Sequence, residues 1–213
     1  MAITDELFSS LQDGQIGRIG EQLGISQEQA QSAVAAALPL LVGALGRNAQ
    51  QPEGAASLFG ALGRDHVGVD PSTALGSADG GSILGHVFGR RQDSAATGLG
   101  TATGLGNERA GALLRLLAPV VMAYLAKKMY DRRHASDGVA ANPVPEDGAG
   151  TPTPGGLASM LGRENVHIAK QGGVGSKLLS AVLDRDHDGD VDFSDLAGAA
   201  MIAATAIGAA RRL

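Results

Sequence analysis

Cysteine and tryptophan are both absent from this sequence of 213 residues, and aromatic residues make up only 3% of it. A chain without cysteine has no disulfide, no thiolate zinc site and no thiol nucleophile. Few aromatic side chains means few platforms on which nucleobases can stack, and the formal net charge of −5 does not favour binding to phosphates. We therefore expect no nucleic-acid partner.

Export and membrane-spanning signals are also lacking. Residues 1–11 carry Asp5 and Glu6 in place of the basic region and apolar run of a signal peptide. The longest uninterrupted apolar runs, 116–126 and 196–210, are shorter than the roughly 20 residues that cross a bilayer. These observations predict a cytoplasmic protein. In the alternative, the protein is associated with the cell envelope, and the Ala/Gly-rich helix 196–210 pairs with another helix or lies on a membrane.

Helix patterns are frequent, whereas strand patterns are scarce. Apolar and polar residues do not alternate over any useful length, so no strand is predicted. The apolar residues of 3–11 recur with helical spacing. A longer helix is predicted to begin after Ser26, which has Gln29 three residues later as its capping-box partner, and to end near residue 46. The predicted fold class is all-α.

Part of the sequence recurs at an offset of 80 residues, in copies at about 3–46 and 83–126. The identical pairs are Ile3/Ile83, Phe8/Phe88, Gln12/Gln92, Asp13/Asp93, Gly20/Gly100, Gly24/Gly104, Glu28/Glu108, Ala30/Ala110, Pro39/Pro119 and Leu45/Leu125. Each copy is predicted to contain a short helix, a glycine-rich bend and a long helix. We expect the long helices, 26–46 and 106–130, to pack against each other. Chance matching in a chain rich in alanine and glycine is the alternative explanation.

Residues 184–195 have the spacing of an EF-hand calcium loop. Aspartate occupies loop positions 1, 3, 5, 7, 9 and 12, which are Asp184, Asp186, Asp188, Asp190, Asp192 and Asp195. Carboxylate and carbonyl oxygens are the ligands that Ca²⁺ prefers, and position 7 supplies its backbone carbonyl. Gly189 stands where the loop turns sharply, and Val191 stands where the template has an apolar residue. A solvated acidic run is the alternative, and it does not account for Gly189 and Val191.

The loop departs from the common EF-hand at its last position. Asp195 is one methylene shorter than the usual glutamate, which predicts weaker Ca²⁺ affinity and poorer discrimination against Mg²⁺. Aspartate at this position also occurs in dockerin modules, which the loop resembles locally. A dockerin has two such loops, and this sequence has one. We therefore expect a structural cation site, filled by Ca²⁺ or by Mg²⁺, and favour it over a regulatory one.

Other arrangements that carry chemistry are not found. No two of the five histidines have the spacing of a helical zinc site. His86, on a short apolar segment, is interpreted as a core or interface residue. The paired glycines lack the lysine of a phosphate-binding loop, and no nucleophile elbow is present. The basic cluster Lys127, Lys128, Arg132 and Arg133 is interpreted as complementing a helix dipole, with partner binding as the alternative. No catalytic or cofactor-binding residue is assigned, and we expect no enzyme activity.

Three segments and the acidic loop together resemble a known family. They are 80–89 (GGSILGHVFG), 103–105 (TGL) and 116–122 (LLAPVVM). On these segments the chain resembles the YidB-like bacterial family, a domain of unknown function numbered 937. The resemblance implies a multihelical fold and a bacterial origin, and it implies no activity.

The expected organisation is a helical domain at 1–134, a flexible linker rich in Pro and Gly at 135–156, and a helix–loop–helix unit at 157–213 that binds Ca²⁺. The expected function is that of a non-catalytic interaction or scaffolding module. Its partners would be a divalent cation and possible protein partners or further copies of the chain.

Overall fold

The computed structural model describes residues 2–12, 14–136 and 152–171, with side chains described for all of these except 131–136. The helices of these residues are α1 (Ile3–Gln12), α2 (Gln15–Leu23), α3 (Gln27–Asn48), α4 (Pro52–Ala61), α5 (Gly80–Phe88), α6 (Gln92–Thr103), α7 (Asn107–Ser136) and α8 (Pro154–Gln171). A π-helical turn (Leu62–His66) follows α4, and a 3₁₀ turn (Gly89–Arg91) joins α5 to α6. The described part contains no strand, and the predicted all-α class is confirmed.

The first long helix begins where the sequence predicts. Gly24 ends α2 in the left-handed region, with φ of 62°. The Ser26 hydroxyl then accepts a hydrogen bond from the Gln29 backbone N–H, and the Gln29 side chain accepts one from the Ser26 N–H. Both halves of the predicted capping box are therefore present, and α3 starts at Gln27.

The order of elements in α1–α3 recurs in α5–α7. In each set two short helices are followed by a glycine in the left-handed region, Gly24 or Gly104, and then by a long helix that contains a proline. α3 begins at Gln27 and α7 at Asn107, which preserves the offset of 80. The bend predicted between the short and long helices contains α2 and α6, which the sequence analysis did not predict.

The two long helices pack against each other, as expected, and form the centre of the core. Equivalent positions are buried in both, since Ala30, Val34 and Ala110, Leu114 are all fully inaccessible. α3 also contacts α1, α2, α5, α6 and α8. A helix surrounded in this way must be apolar on nearly all its faces, because few of its side chains reach water.

α3 and residues Asn107–Tyr130 of α7 are long and apolar enough to cross a membrane, judged by length and composition alone. The sequence analysis did not predict this, because it counted only uninterrupted apolar runs. In each helix 72% of the most apolar window is buried inside the protein. Core helices of a soluble protein have the same property, so this observation does not assign a membrane location.

Two equivalent glycines allow the short helices to approach the backbone that follows them. A Cβ on Gly20 would lie 3.1 Å from the carbonyl oxygen of Ile25, and one on Gly100 would lie 2.7 Å from the carbonyl carbon of Gly106. Neither position leaves ordinary van der Waals space for a methyl group. The Gly20/Gly100 identity therefore has a steric reason within the fold.

Gly80 and Pro119 make a second close contact, between α5 and α7. Pro119 has no N–H, so the carbonyl of Arg115, one turn earlier, lacks its usual helical donor. A Cβ on Gly80 would lie 2.0 Å from that carbonyl oxygen. The absence of a side chain lets the start of α5 rest directly on the helix backbone that the proline leaves open.

The last described helix, α8, packs on α3 and α4. Leu157, Met160, Leu161 and Ile168 form its buried stripe. Residues 157–171 were predicted to start a separate C-terminal unit, and the linker was predicted to extend to 156. In the structure α8 starts at Pro154 and joins the helical body, because this stripe needs an apolar surface and α3 with α4 provides one. Residues 172–213 lie outside the described part of the chain.

α8 also caps α1 through a buried carboxylate. Glu164 is 5% exposed and accepts hydrogen bonds from Ile3 N at 2.8 Å, Thr4 N at 2.9 Å and Thr4 Oγ1 at 2.6 Å. Burying a carboxylate costs several kcal/mol, and each charge-assisted bond returns about 1.5–3 kcal/mol. The carboxylate is tolerated because three donors and the positive end of the α1 dipole face it.

Substitution of Gly80 tests the contact with α7. Gly80→Ala is expected to destabilise the protein by about 1–3 kcal/mol, because the new methyl group overlaps the Arg115 carbonyl. Gly81→Ala is the matched control, since its Cβ meets only the Arg115 Cδ, at 4.0 Å. Urea unfolding measures both free energies. Equal effects of the two substitutions would contradict the contact.

Substitution of Glu164 tests the capping of α1. Glu164→Gln is expected to cost about 2–3 kcal/mol, because an amide NH₂ must then face backbone donors. Glu21→Gln, at an exposed position on α2, removes the same charge and should cost little. Hydrogen exchange at the Ile3 and Thr4 amides should accelerate only in the Glu164 variant. Unchanged exchange there would contradict the cap.

Candidate functional site

The six predicted metal ligands, Asp184, Asp186, Asp188, Asp190, Asp192 and Asp195, lie outside the described residues, so the calcium loop stays a prediction. Within the described ranges, no three His, Asp or Glu side chains are grouped closely enough to hold a metal ion. The candidate site that these ranges do contain is a polar cleft.

The cleft has a volume of about 370 Å³. It is bounded by α1, the first residue of α2, the turn at residues 70–72 and the stretch 120–128 of α7. Three of these boundaries are helices packed on the core, so their backbones are held in place by the fold. Small-molecule sites in proteins occupy about 300–1,000 Å³, and this cleft lies at the lower end of that range.

Glu6 organises one wall of the cleft. Its carboxylate accepts a hydrogen bond from the Tyr124 hydroxyl and forms an ion pair with Lys128. The Lys128 ammonium also lies 5.8 Å from the centre of the Tyr124 ring, within cation–π range. The side chains of Lys128 and Glu6 are 30% and 26% exposed, so the pair is partly shielded from water.

The ionisation of this wall follows from its contacts. The hydrogen bonds from Lys128 and Tyr124 lower the pKa of Glu6, because both stabilise the carboxylate. Burial and the bond to Glu6 raise the pKa of Tyr124. At neutral pH the wall therefore holds an ionised glutamate beside a protonated phenol.

The turn at residues 70–72 provides another part of the lining. The Asp70 carboxylate accepts a hydrogen bond from the Ser72 N–H at 2.8 Å, an Asx turn that orients the side chain. Bonds from Ser72 lower the pKa of Asp70, and the charge of Lys127 lowers it further. Asp70 and Lys127 thus lie close enough to influence each other electrostatically.

Gln15 is the buried polar residue of the cleft. It is the first residue of α2 and follows Gly14, whose φ of 97° turns the chain between α1 and α2. Gln15 is 7% exposed, and its Oε1 has no hydrogen-bond partner in the described structure. An unpaired buried amide oxygen costs about 1–3 kcal/mol.

The three histidines whose side chains the structure describes do not line this cleft. His66 is buried in the π-helical turn, and burial lowers its pKa. His86 is exposed, which corrects the predicted core position and leaves an interface position as a prediction. Its Nδ1 lies 2.8 Å from the carbonyl oxygen of Ser82, in the preceding turn of α5. His167 lies 3.7 Å from an Asp5 carboxylate oxygen on the surface.

The sequence analysis singled out only Lys127 and Lys128 among the cleft residues. It did not link them to Glu6, because 121 residues separate Glu6 from Lys128 in the sequence. No sequence spacing predicts a contact between α1 and α7. The one available signal was the offset of 80, which makes α1 and α7 parts of different copies and predicts that the copies pack together.

A comparison with protein families identifies the helical body. A model described as "Bacterial protein of unknown function (DUF937)" matches residues 5–128. The chain belongs to this family. The DUF937 region contains every residue that lines the cleft, whereas α8 lies beyond it. No curated protein and no solved structure matches the chain.

The Glu6–Lys128 pair predicts a pH dependence of stability. The folded pKa of Glu6 is lower than its unfolded value of about 4.5, so between these two pKa values the unfolded chain binds more protons than the folded one. The stabilisation is therefore present above the unfolded pKa and is lost as the pH falls through the folded pKa. Lys128→Met is expected to remove about 0.5–1 kcal/mol at neutral pH and to flatten this acid dependence.

Urea unfolding at several pH values measures the effect. Lys170→Met, at an exposed position on α8, is the matched control and should keep the acid dependence of the unsubstituted protein. An identical acid dependence in the Lys128 variant would contradict the role of the pair.

Proposed function

We propose that the protein is a non-catalytic module that binds a divalent cation through the loop at 184–195 and uses its helical body for interaction or scaffolding. The observation that carries the proposal is the placement of aspartate at all six ligand positions of the EF-hand template, with Gly189 at the turn and Val191 at the apolar position. In this proposal the protein is cytoplasmic, where free Ca²⁺ is scarce and Mg²⁺ competes for the loop.

The arrangement of α8 supports a structural role for the cation. α8 is fixed to the body by Glu164 and by its apolar stripe, and residues 172–183 alone separate its end from the loop. The loop is therefore tethered to the DUF937 body by a segment of 12 residues. Six clustered carboxylates repel one another without a cation, so cation binding would favour an ordered arrangement of this end of the chain.

The ionisation of Glu6 and Tyr124 supports a non-catalytic role for the cleft. A general base works best when its pKa lies near the working pH. The pKa of Glu6 is lowered by Lys128 and Tyr124, and the pKa of Tyr124 is raised, so both move away from neutrality. These two groups are suited to holding a structure or a ligand and poorly suited to transferring protons.

Calorimetric titration of the full chain tests the cation site. After treatment with chelator, Ca²⁺ is expected to bind with a stoichiometry of one, and Mg²⁺ is expected to compete with it. At a free Ca²⁺ concentration of 100 times Kd, the midpoint temperature of thermal unfolding for the segment coupled to the loop should rise by about 5–10 °C.

Asp188→Asn should abolish the calorimetric signal, because it removes a carboxylate from loop position 5. Asp93→Asn is the matched control, because this substitution removes the same charge at an exposed position on α6. The proposal would be overturned if neither Ca²⁺ nor Mg²⁺ gave saturable heat. It would also be overturned if Asp188→Asn and Asp93→Asn reduced cation binding equally.

A further inference from the structure

We propose that the cleft between α1, α2 and α7 is a binding site for a small zwitterion of the amino-acid class, with Asp70 and Gln15 receiving its ammonium group and Lys127 its carboxylate. The residues assigned to this site are not those of the cation loop, and the inference does not depend on the proposed function.

The charges that line the cleft select this chemistry. Two carboxylates and two ammonium groups face it, so its net charge is zero. Glu6 and Lys128 are already paired with each other, which leaves Asp70 and Lys127 for a charged ligand. A ligand with one charge would match only one of these two groups, whereas a zwitterion matches both.

The turn at residues 70–72 prepares Asp70 for this role. One carboxylate oxygen, Oδ1, is engaged by the Ser72 N–H, which fixes the direction of the side chain. Because Asp70 is an exposed residue at the cleft mouth, a ligand ammonium can reach it without moving the helical core. Orientation before binding reduces the entropy that the side chain loses on binding.

Gln15 supplies the second observation. The side chain is more than nine-tenths buried, and its amide oxygen lacks a donor. The terminal torsion of a glutamine is soft, so a small rotation can direct this oxygen toward the cleft. A ligand N–H would then donate to an acceptor that the protein leaves unpaired. The free energy of this hydrogen bond would stabilise the complex and not the unliganded fold.

Other ligand classes fit less well. A phosphate ion would face the carboxylates of Glu6 and Asp70, and a polyamine would face Lys127 and Lys128. A neutral sugar would leave the charges of Asp70 and Lys127 unmatched. The apolar residues Leu11 and Val120 also line the cleft and offer contact to an uncharged side chain of the ligand.

Tyrosine fluorescence provides the readout, because the chain has two tyrosines and no tryptophan. In a Tyr130→Phe background the signal comes from Tyr124, which lines the cleft. We would titrate L-serine, L-leucine and L-glutamine to about 10 mM, a weak-binding range. N-acetyl-L-leucinamide, which lacks both charges, glucose, spermidine and inorganic phosphate are the comparison ligands. Saturable change is expected with at least one amino acid and with none of the comparison ligands.

Two variants separate binding from stability. Gln15→Met keeps the length of the side chain and removes the unpaired oxygen, so the protein should be as stable as before or more so, while affinity falls about tenfold. Lys127→Met should lower affinity by a similar factor with little change in stability. Lys170→Met, at an exposed position on α8, and Asp188→Asn, in the cation loop, should leave affinity unchanged.

Three results would overturn the assignment. They are no response to any of the three amino acids, an equal response to N-acetyl-L-leucinamide or to a comparison ligand, and full affinity retained by Gln15→Met. A buried glutamine with a purely structural role would instead show a loss of stability without any loss of binding.

Discussion

The close packing of α3 against the surrounding helices is the constraint on which the structure depends. α3 contacts α1, α2, α5, α6, α7 and α8, and most of its residues from Ala30 to Gly46 are buried. The core contains few aromatic rings, so stability comes from many small contacts between backbones that approach closely. That approach requires glycine or alanine at the contacts. Gly20, Gly80 and Gly100 allow the same kind of close approach elsewhere in the fold, since a Cβ at each would lie within 3.1 Å of a neighbouring backbone atom.

The cleft is a consequence of this packing. α1 and α7 lie close enough for Glu6 to reach Tyr124 and Lys128, and the turn at residues 70–72 closes the other side. Glu6, Gln15, Tyr124 and Lys128 are therefore positioned by helices that belong to the core, whereas Asp70 is positioned by a turn. A site built on such elements keeps its geometry better than one built on loops alone, which is why a polar cleft of modest size here merits a ligand search.

Local patterns predicted local structure well. Ser26 and Gln29 predicted a helix start that the structure contains, and the helical spacing of apolar residues in 3–11 predicted α1. α2 and α6 were not predicted, because their glycines resemble a bend until the close approach at Gly20 and Gly100 is seen. The DUF937 family was predicted from its motifs. The cleft was not, since Glu6, Gln15, Asp70 and Lys127 are joined only by tertiary packing, which leaves no trace in their spacing.

The contact between Glu164 and the start of α1 also affects the order in which parts of the chain fold. The two partners are 160 residues apart in the chain. Because synthesis proceeds from the N-terminus, α1 emerges long before the carboxylate that caps it. The first helix to be made is thus among the last to gain its full set of hydrogen bonds. Such a distant contact also raises the contact order of the fold, and chains of high contact order fold more slowly.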